Sequence, residues 1–195
     1  MRIYRYALGV AAVLLLSVAG AGAQDGGKTG ITMGYPASIG VIWHANDKIA
    51  IRPEFSISGT SSESSPAPSF TSKTDGWGYG VGASALFYLH TYDHLRTYFS
   101  PRFTYGHATT NGESSGLATL PSGIATVTTK STANTSGITG SFGAQYALGD
   151  KFSVFGEVGF GFNHSSTTTS STAISQKVTG NGWGTRTGVG VIFYP

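Results

Sequence analysis

No cysteine occurs in the 195 residues, and only 11% of them are charged. The first absence excludes a lipid-modified N-terminal cysteine and suits an oxidising compartment, where an unpaired thiol is a liability. The second leaves a formal charge of +3, itself inflated by Arg2 and Arg5 at the extreme N-terminus. Without them 10 basic residues face 9 acidic ones, a balance of +1. Such near-neutrality leaves no electrostatic footprint for nucleic acid, and that class is excluded. No apolar run reaches the roughly 20 residues that a membrane-crossing helix needs, and no stretch after residue 24 carries helical periodicity. Glycine, by contrast, is abundant at 29 residues, in a chain whose mean hydropathy is +0.01.

Residues 1–23 read as a cleavable signal peptide. Arg2 and Arg5 give a positive start, Ala7 to Ala19 is apolar, and Ala21-Gly22-Ala23 is a small-x-small cleavage site before Gln24. Residues 24–195 then form one domain.

Within that domain the pattern has a period of two. In Trp77 to Phe87 the odd positions carry Trp, Tyr, Val, Ala, Ala and Phe, while the even ones are mainly Gly and Ser. Residues 49–57, 138–148, 152–162 and 183–193 alternate likewise. Segments of about 9–11 alternating residues match tilted membrane-spanning β-strands. Short breaks at 44–48, 90–95 and 149–151 interleave with long Ser/Thr/Gly/Asn-rich tracts at 59–75, 107–136 and 164–177. Short turns at one end and long loops at the other are the asymmetry of an outer-membrane barrel. Seven long segments are evident, and Tyr35-Pro36-Ala37-Ser38 is turn-like. Splitting there gives strands 28–34 and 38–44 and the even total of eight that such barrels require. The alternative keeps 30–44 whole and leaves an eighth strand missing or hidden within 107–136. The expected fold is therefore all-β: an eight-stranded antiparallel up-and-down transmembrane β-barrel with short periplasmic turns and long extracellular loops.

The face opposite the apolar one decides between lipid and a soluble core. It is mostly Gly, Ser and Thr rather than Lys, Glu and Asp, which suits the crowded interior of an eight-stranded barrel. The apolar face holds more than twenty large side chains. Exposing each to water would forgo roughly 1.5–3 kcal/mol, so lipid is their expected surroundings. Arg52, Glu54, Arg102, Glu157 and Arg186 all fall in the small-residue phase. Isolated buried ions cost several kcal/mol each, so these five are expected to pair in one mid-height layer that plugs the lumen. Aromatics collect at both strand ends: Trp77, Phe162 and Trp183 beside the long tracts, and Trp43, Phe87 and Tyr146 beside the short turns. They form candidate interfacial belts.

In these features the mature chain resembles the small outer-membrane β-barrel superfamily that includes OmpA-like and OmpX-like domains. The most specific match is Arg186-Thr187-Gly188-Val189-Gly190-Val191-Ile192-Phe193. It looks like a C-terminal assembly signal, carried by Arg186, Gly188, Val191 and the aromatic Phe193. The resemblance implies insertion by the barrel-assembly machinery into a Gram-negative outer membrane, with outer-membrane lipids as partners. Here the chain runs on to Tyr194-Pro195.

For function, the expectation is a non-catalytic, structural or surface-interaction role without a cofactor, any extracellular ligand meeting 59–75, 107–136 or 164–177. The eight consecutive Ser or Thr at 165–172 suit solvated loops. Narrow-pore transport is the runner-up, because eight strands leave no open aqueous channel. A lipid-modifying enzyme is the third class. His164 and Ser166 make a His-x-Ser pair, but no acid follows between 167 and 195. His90, Asp93 and His94 on one short turn are most simply solvated polar residues, and no metal is expected.

Overall fold

The computed structural model describes residues 29–36, 38–67, 70–117, 124–171 and 174–195, so the segment 1–23 read as a signal peptide lies outside the described residues. The eight strands are β1 (Thr29–Tyr35), β2 (Ser38–Asn46), β3 (Ile49–Ala67), β4 (Phe70–Tyr92), β5 (Leu95–Leu117), β6 (Ile124–Ala147), β7 (Phe152–Ser171) and β8 (Ser175–Phe193). Each pairs antiparallel with its sequence neighbours, and β1 closes the ring against β8. The chain does turn at Tyr35-Pro36, so β1 and β2 are the two short strands, seven and nine residues long.

Register fixes the shape. Following paired residues once round, Met33 leads through Ile39, Phe55, Val81, Tyr105, Ser136 and His164 to Asn181. The direct β8 partner of Met33 is Val191, ten residues further along than Asn181. A shear of ten in eight strands tilts them by roughly 40° and leaves an interior that side chains fill.

Alternation sorts the side chains cleanly. Ile51, Val81, Phe103, Phe142, Val158, Phe160 and Val189 stand on the outer face, each at least 40% exposed. Arg52, Ser84, Tyr98, Ser100, Ser141 and Ile192 face inward and are buried. An apolar exterior around a polar and aromatic interior is the inverse of a soluble barrel. Inward glycines create the room that the large interior groups need. A Cβ on Gly143 would lie 2.5 Å from the Tyr98 ring, and one on Gly190 would lie 2.6 Å from Phe155.

The strands run further than hydrophobic alternation indicates. The tracts 59–75, 107–136 and 164–177 are mostly ladder: Thr60 pairs with Gly76, Thr109 with Thr132, and Thr167 with Val178. The physical reason is that both faces of these extensions meet water, so no apolar alternation marks them. Thr is nevertheless a good strand former, and cross-strand hydroxyls support the ladder. Ser131 and Thr169 stand 3.3 Å apart, and Ser170 and Ser175 3.2 Å apart. Ser61 donates to Asp75 at 2.7 Å, the main cause holding that carboxyl below its ordinary range. Together the extensions make a polar collar. Beyond Tyr105, β5 continues to Leu117, on the order of 40 Å of strand at about 3.3 Å per residue.

An arginine on the lipid face should be costly and one on the collar tolerated. Val158→Arg is expected to lower unfolding stability in lipid vesicles by about 2–4 kcal/mol. Thr179→Arg should change it by less than about 0.5 kcal/mol. Equal denaturant midpoints for the two variants would contradict the assigned faces.

Candidate functional site

Among the described residues, charged side chains converge in the interior at the lumen. Arg52, on β3, is 1% exposed. Its Nε lies 2.9 Å from Glu54 Oε1 and its Nη2 2.5 Å from Glu157 Oε1. Glu54 also pairs with Arg102 from β5. Tyr98 donates its hydroxyl to Glu157 Oε1 at 2.9 Å, and Arg52 Nε donates to Ser84 Oγ at 3.3 Å. The Arg52 guanidinium also sits 4.9 Å from the centroid of the Phe155 ring. Thus β3, β4, β5 and β7 are tied across the lumen through two arginines and two glutamates. Charges this buried persist only when paired and hydrogen-bonded, because each carries a desolvation penalty of several kcal/mol.

Arg186, the fifth residue read from the sequence, stands apart. It alternates with outward Thr185 and Thr187 and is half-buried. Among the described residues it forms no ion pair. The structure therefore brings together Arg52, Glu54, Arg102 and Glu157, and not Arg186.

Toward the short-turn end lies a layer the sequence reading did not single out. Ile42, Ala50, Leu86, Tyr88, Tyr98 and Ile192 form a buried core, with Phe155 and Tyr194 packed against it. A hydrogen-bond relay runs through it. Tyr88 donates to Gln145 Oε1 at 3.0 Å, and Gln145 Nε2 donates to the Tyr194 hydroxyl at 3.1 Å. The Tyr194 hydroxyl in turn lies 3.0 Å from His44 Nε2. Arg96 lies over the Tyr88 ring, 3.7 Å from its centroid, and donates to the Asp47 carbonyl. The signal for this layer was present in the sequence: Tyr88, Tyr98 and Tyr194 share the phase of the buried serines and arginines. Large aromatics in the small-residue phase, facing inward glycines, mark a filled lumen.

The remaining sequence candidates lie outside these two layers. Trp43, Trp77, Phe87, Tyr146 and Trp183 are exposed on the outer face. Phe162 pairs with Trp183, their ring centroids 4.9 Å apart. In the last strand Val191 faces outward at 40% exposure, Phe193 packs on Phe152 at 5.0 Å, and Gly188 is buried. Tyr194, an overhang in the sequence reading, turns into the lumen. His164 Nδ1 is 2.7 Å from Asn181 Oδ1 in the collar. At the short turn His90 stacks on Tyr92, while Asp93 and His94 lie 3.5 Å apart. Among the described residues no group of three His, Cys, Asp or Glu is placed to hold a metal.

Removing one member of the ion layer should strand its partners. Glu157→Ala is expected to cost about 3–5 kcal/mol of unfolding stability, read from guanidinium titration in neutral detergent or lipid. Gly143→Val, which drives a methyl into the Tyr98 ring, should cost about 1–3 kcal/mol. Unchanged midpoints would mean that these contacts do not bear on stability.

Neither a family model nor a curated protein matches this chain. Solved structures do. A major outer membrane protein from Thermus thermophilus is 10% identical, with a TM-score of 0.51 over 85% of this chain and 98% of that one. CarO from Acinetobacter baumannii is 13% identical, with a TM-score of 0.46 over 88% of this chain and 98% of that one. Ail, the attachment invasion locus protein of Yersinia pestis, is 12% identical over 85% of this chain and 93% of that one, with a TM-score of 0.34. At such identity the likeness to the Thermus protein speaks of architecture alone: the chain has the fold of an outer-membrane β-barrel.

Proposed function

We propose that this chain is a Gram-negative outer-membrane protein with a structural and surface-interaction role and no catalysis. Its short turns lie in the periplasm and its polar collar stands on the cell surface. The observation that carries this is the filled lumen, in which the Arg52–Glu54–Arg102–Glu157 layer and the Tyr88, Tyr98 and Tyr194 layer lie one below the other. A lumen plugged in this way passes no solute stream, so the working surfaces are the two that remain. The outer wall meets outer-membrane lipid through exposed residues such as Ile138, Phe160 and Trp183. The collar meets whatever lies outside the cell, through the extended hairpins over 59–75, 107–136 and 164–177. The strand from Arg186 to Phe193 serves the barrel-assembly machinery during insertion, with Val191 and Phe193 presented on its outward edge.

Two measurements test this. Planar-bilayer recording of the refolded protein is expected to show no large, stable single-channel steps, and finding them would replace the plug with a pore. The lack of native cysteine makes topology mapping clean. In intact cells, Ser62→Cys and Thr179→Cys should react with a membrane-impermeant maleimide, and Lys151→Cys only after the envelope is broken. The reverse pattern would invert the orientation.

A further inference from the structure

The wall of this barrel is not of even height. Its first hairpin stops low: β1 ends at Tyr35, paired with Val189, and β2 begins at Ser38, just past the Gly40–Glu54 pair. The flanking strands continue well beyond. On β8 the upper aromatic Trp183 lies six residues above Val189, about 20 Å along the strand. On β3, Gly59 pairs with Trp77, at the same aromatic level. Among the described residues β3 and β8 share no ladder between these levels, since each pairs only with its sequence neighbour on the far side. The wall therefore has a notch above the first hairpin, and the notch lies below the upper aromatic belt.

At that depth, open strand edges facing acyl chains do not occur, because unpaired N–H and C=O groups find no partner in hydrocarbon. Such edges persist only where they line a wet cavity. One is present. Directly above the ion layer a hollow of about 230 Å³ is lined by the polar Ser38, Glu54, Ser56, Arg102 and Thr104 and by the apolar Phe55, Val81 and Tyr105. Beside the notch, a Cβ added to Gly184 would meet nothing within 4 Å. The interior around the hollow is short of negative charge. Arg52, Arg102 and Arg186 face Glu54 and Glu157, an excess of one positive charge. Arg102, its side chain 10% exposed, keeps a buried Nε without a hydrogen-bond partner, and Arg186 has no carboxylate partner among the described residues.

We propose that this notch is a side entrance through which a single-chain anionic amphiphile binds. Its carboxylate sits between Arg102, which lines the hollow, and Arg186 on the β8 flank of the notch, and its acyl chain leaves between β3 and β8 into the outer leaflet. Charge selects the head, since among the described residues Arg102 Nε lacks a hydrogen-bond partner and Arg186 lacks a carboxylate one. The hollow's volume of about 230 Å³ is enough for a small head and too little for a large glycolipid core. The chain selects by length, because only a long one can span from the hollow to the lipid.

This inference rests on the chain being a membrane-inserted barrel, so the experiment begins with the heat-shifted gel band that reports a folded barrel. Folded protein in non-ionic detergent is then titrated with hexadecanoate, hexadecanol or butyrate, and adducts are counted by native mass spectrometry. Hexadecanoate should give one saturable adduct, with occupancy by hexadecanol and butyrate at least tenfold lower at equal concentration. Arg186→Gln should weaken hexadecanoate binding tenfold or more, and Gly184→Phe, which fills the space beside the arginine and keeps its charge, should do the same. No adduct on heat-shifted wild-type protein, equal binding of hexadecanol, or unchanged binding in both variants would overturn the side entrance. Failure of the wild-type band to shift would instead overturn the membrane barrel itself.

Discussion

Arg52 is the residue around which this barrel is organised. A guanidinium with 1% exposure in the middle of a lumen survives only because Glu54 and Glu157 reach it from two strands and Ser84 from a third. Its position also dictates its neighbours. Tyr98 lies low enough to donate to Glu157, Gly143 is bare so that Tyr98 fits, and Phe155 lies flat beneath the guanidinium because Gly190 gives way. One buried cation thus sets the identity of residues on most strands of the ring. The bilayer enforces the arrangement from outside, because a charge that cannot find a carboxylate within the barrel has no water to turn to in the wall.

The two halves of the molecule solve different problems. Within the hydrocarbon layer the outward residues gain nothing by polarity, and inward Arg52, Glu54, Arg102 and Glu157 are held by one another. Above it both faces are wet, so stability comes from the ladder itself and from hydroxyl and amide pairs such as His107 with Asn134 and Ser72 with Ser114. The collar is therefore held by backbone continuity with the barrel beneath it, and its side chains are left to vary with what they meet.

Legibility in the sequence followed the same division. Strands with one lipid face announced themselves through alternation, and so did the phase of Arg52, Glu54, Arg102 and Glu157, since a charge in the small-residue phase has nowhere to point but inward. The turn at Tyr35-Pro36 was readable because proline and small polar residues interrupt two apolar runs. The collar was not readable as strand: a Ser/Thr tract paired to another Ser/Thr tract looks the same as a solvated loop until the pairing is known. Arg186 reads as part of the ion layer because it shares the small-residue phase of the other four. The shear of ten tilts β8 relative to β3, and the register decides that its head finds no carboxylate among the described residues. The tyrosine layer went unnoticed because Tyr88, Tyr98 and Tyr194 resemble belt aromatics by type, and only their parity says they are interior.

The short first hairpin has a mechanical consequence. β1 joins β8 only from Ile31 to Tyr35, whereas β7 and β8 are joined along their whole length. The closing seam is thus the weakest line in the cylinder, the place where a pulled or heated barrel would unzip first and where a nascent one would be stitched shut last.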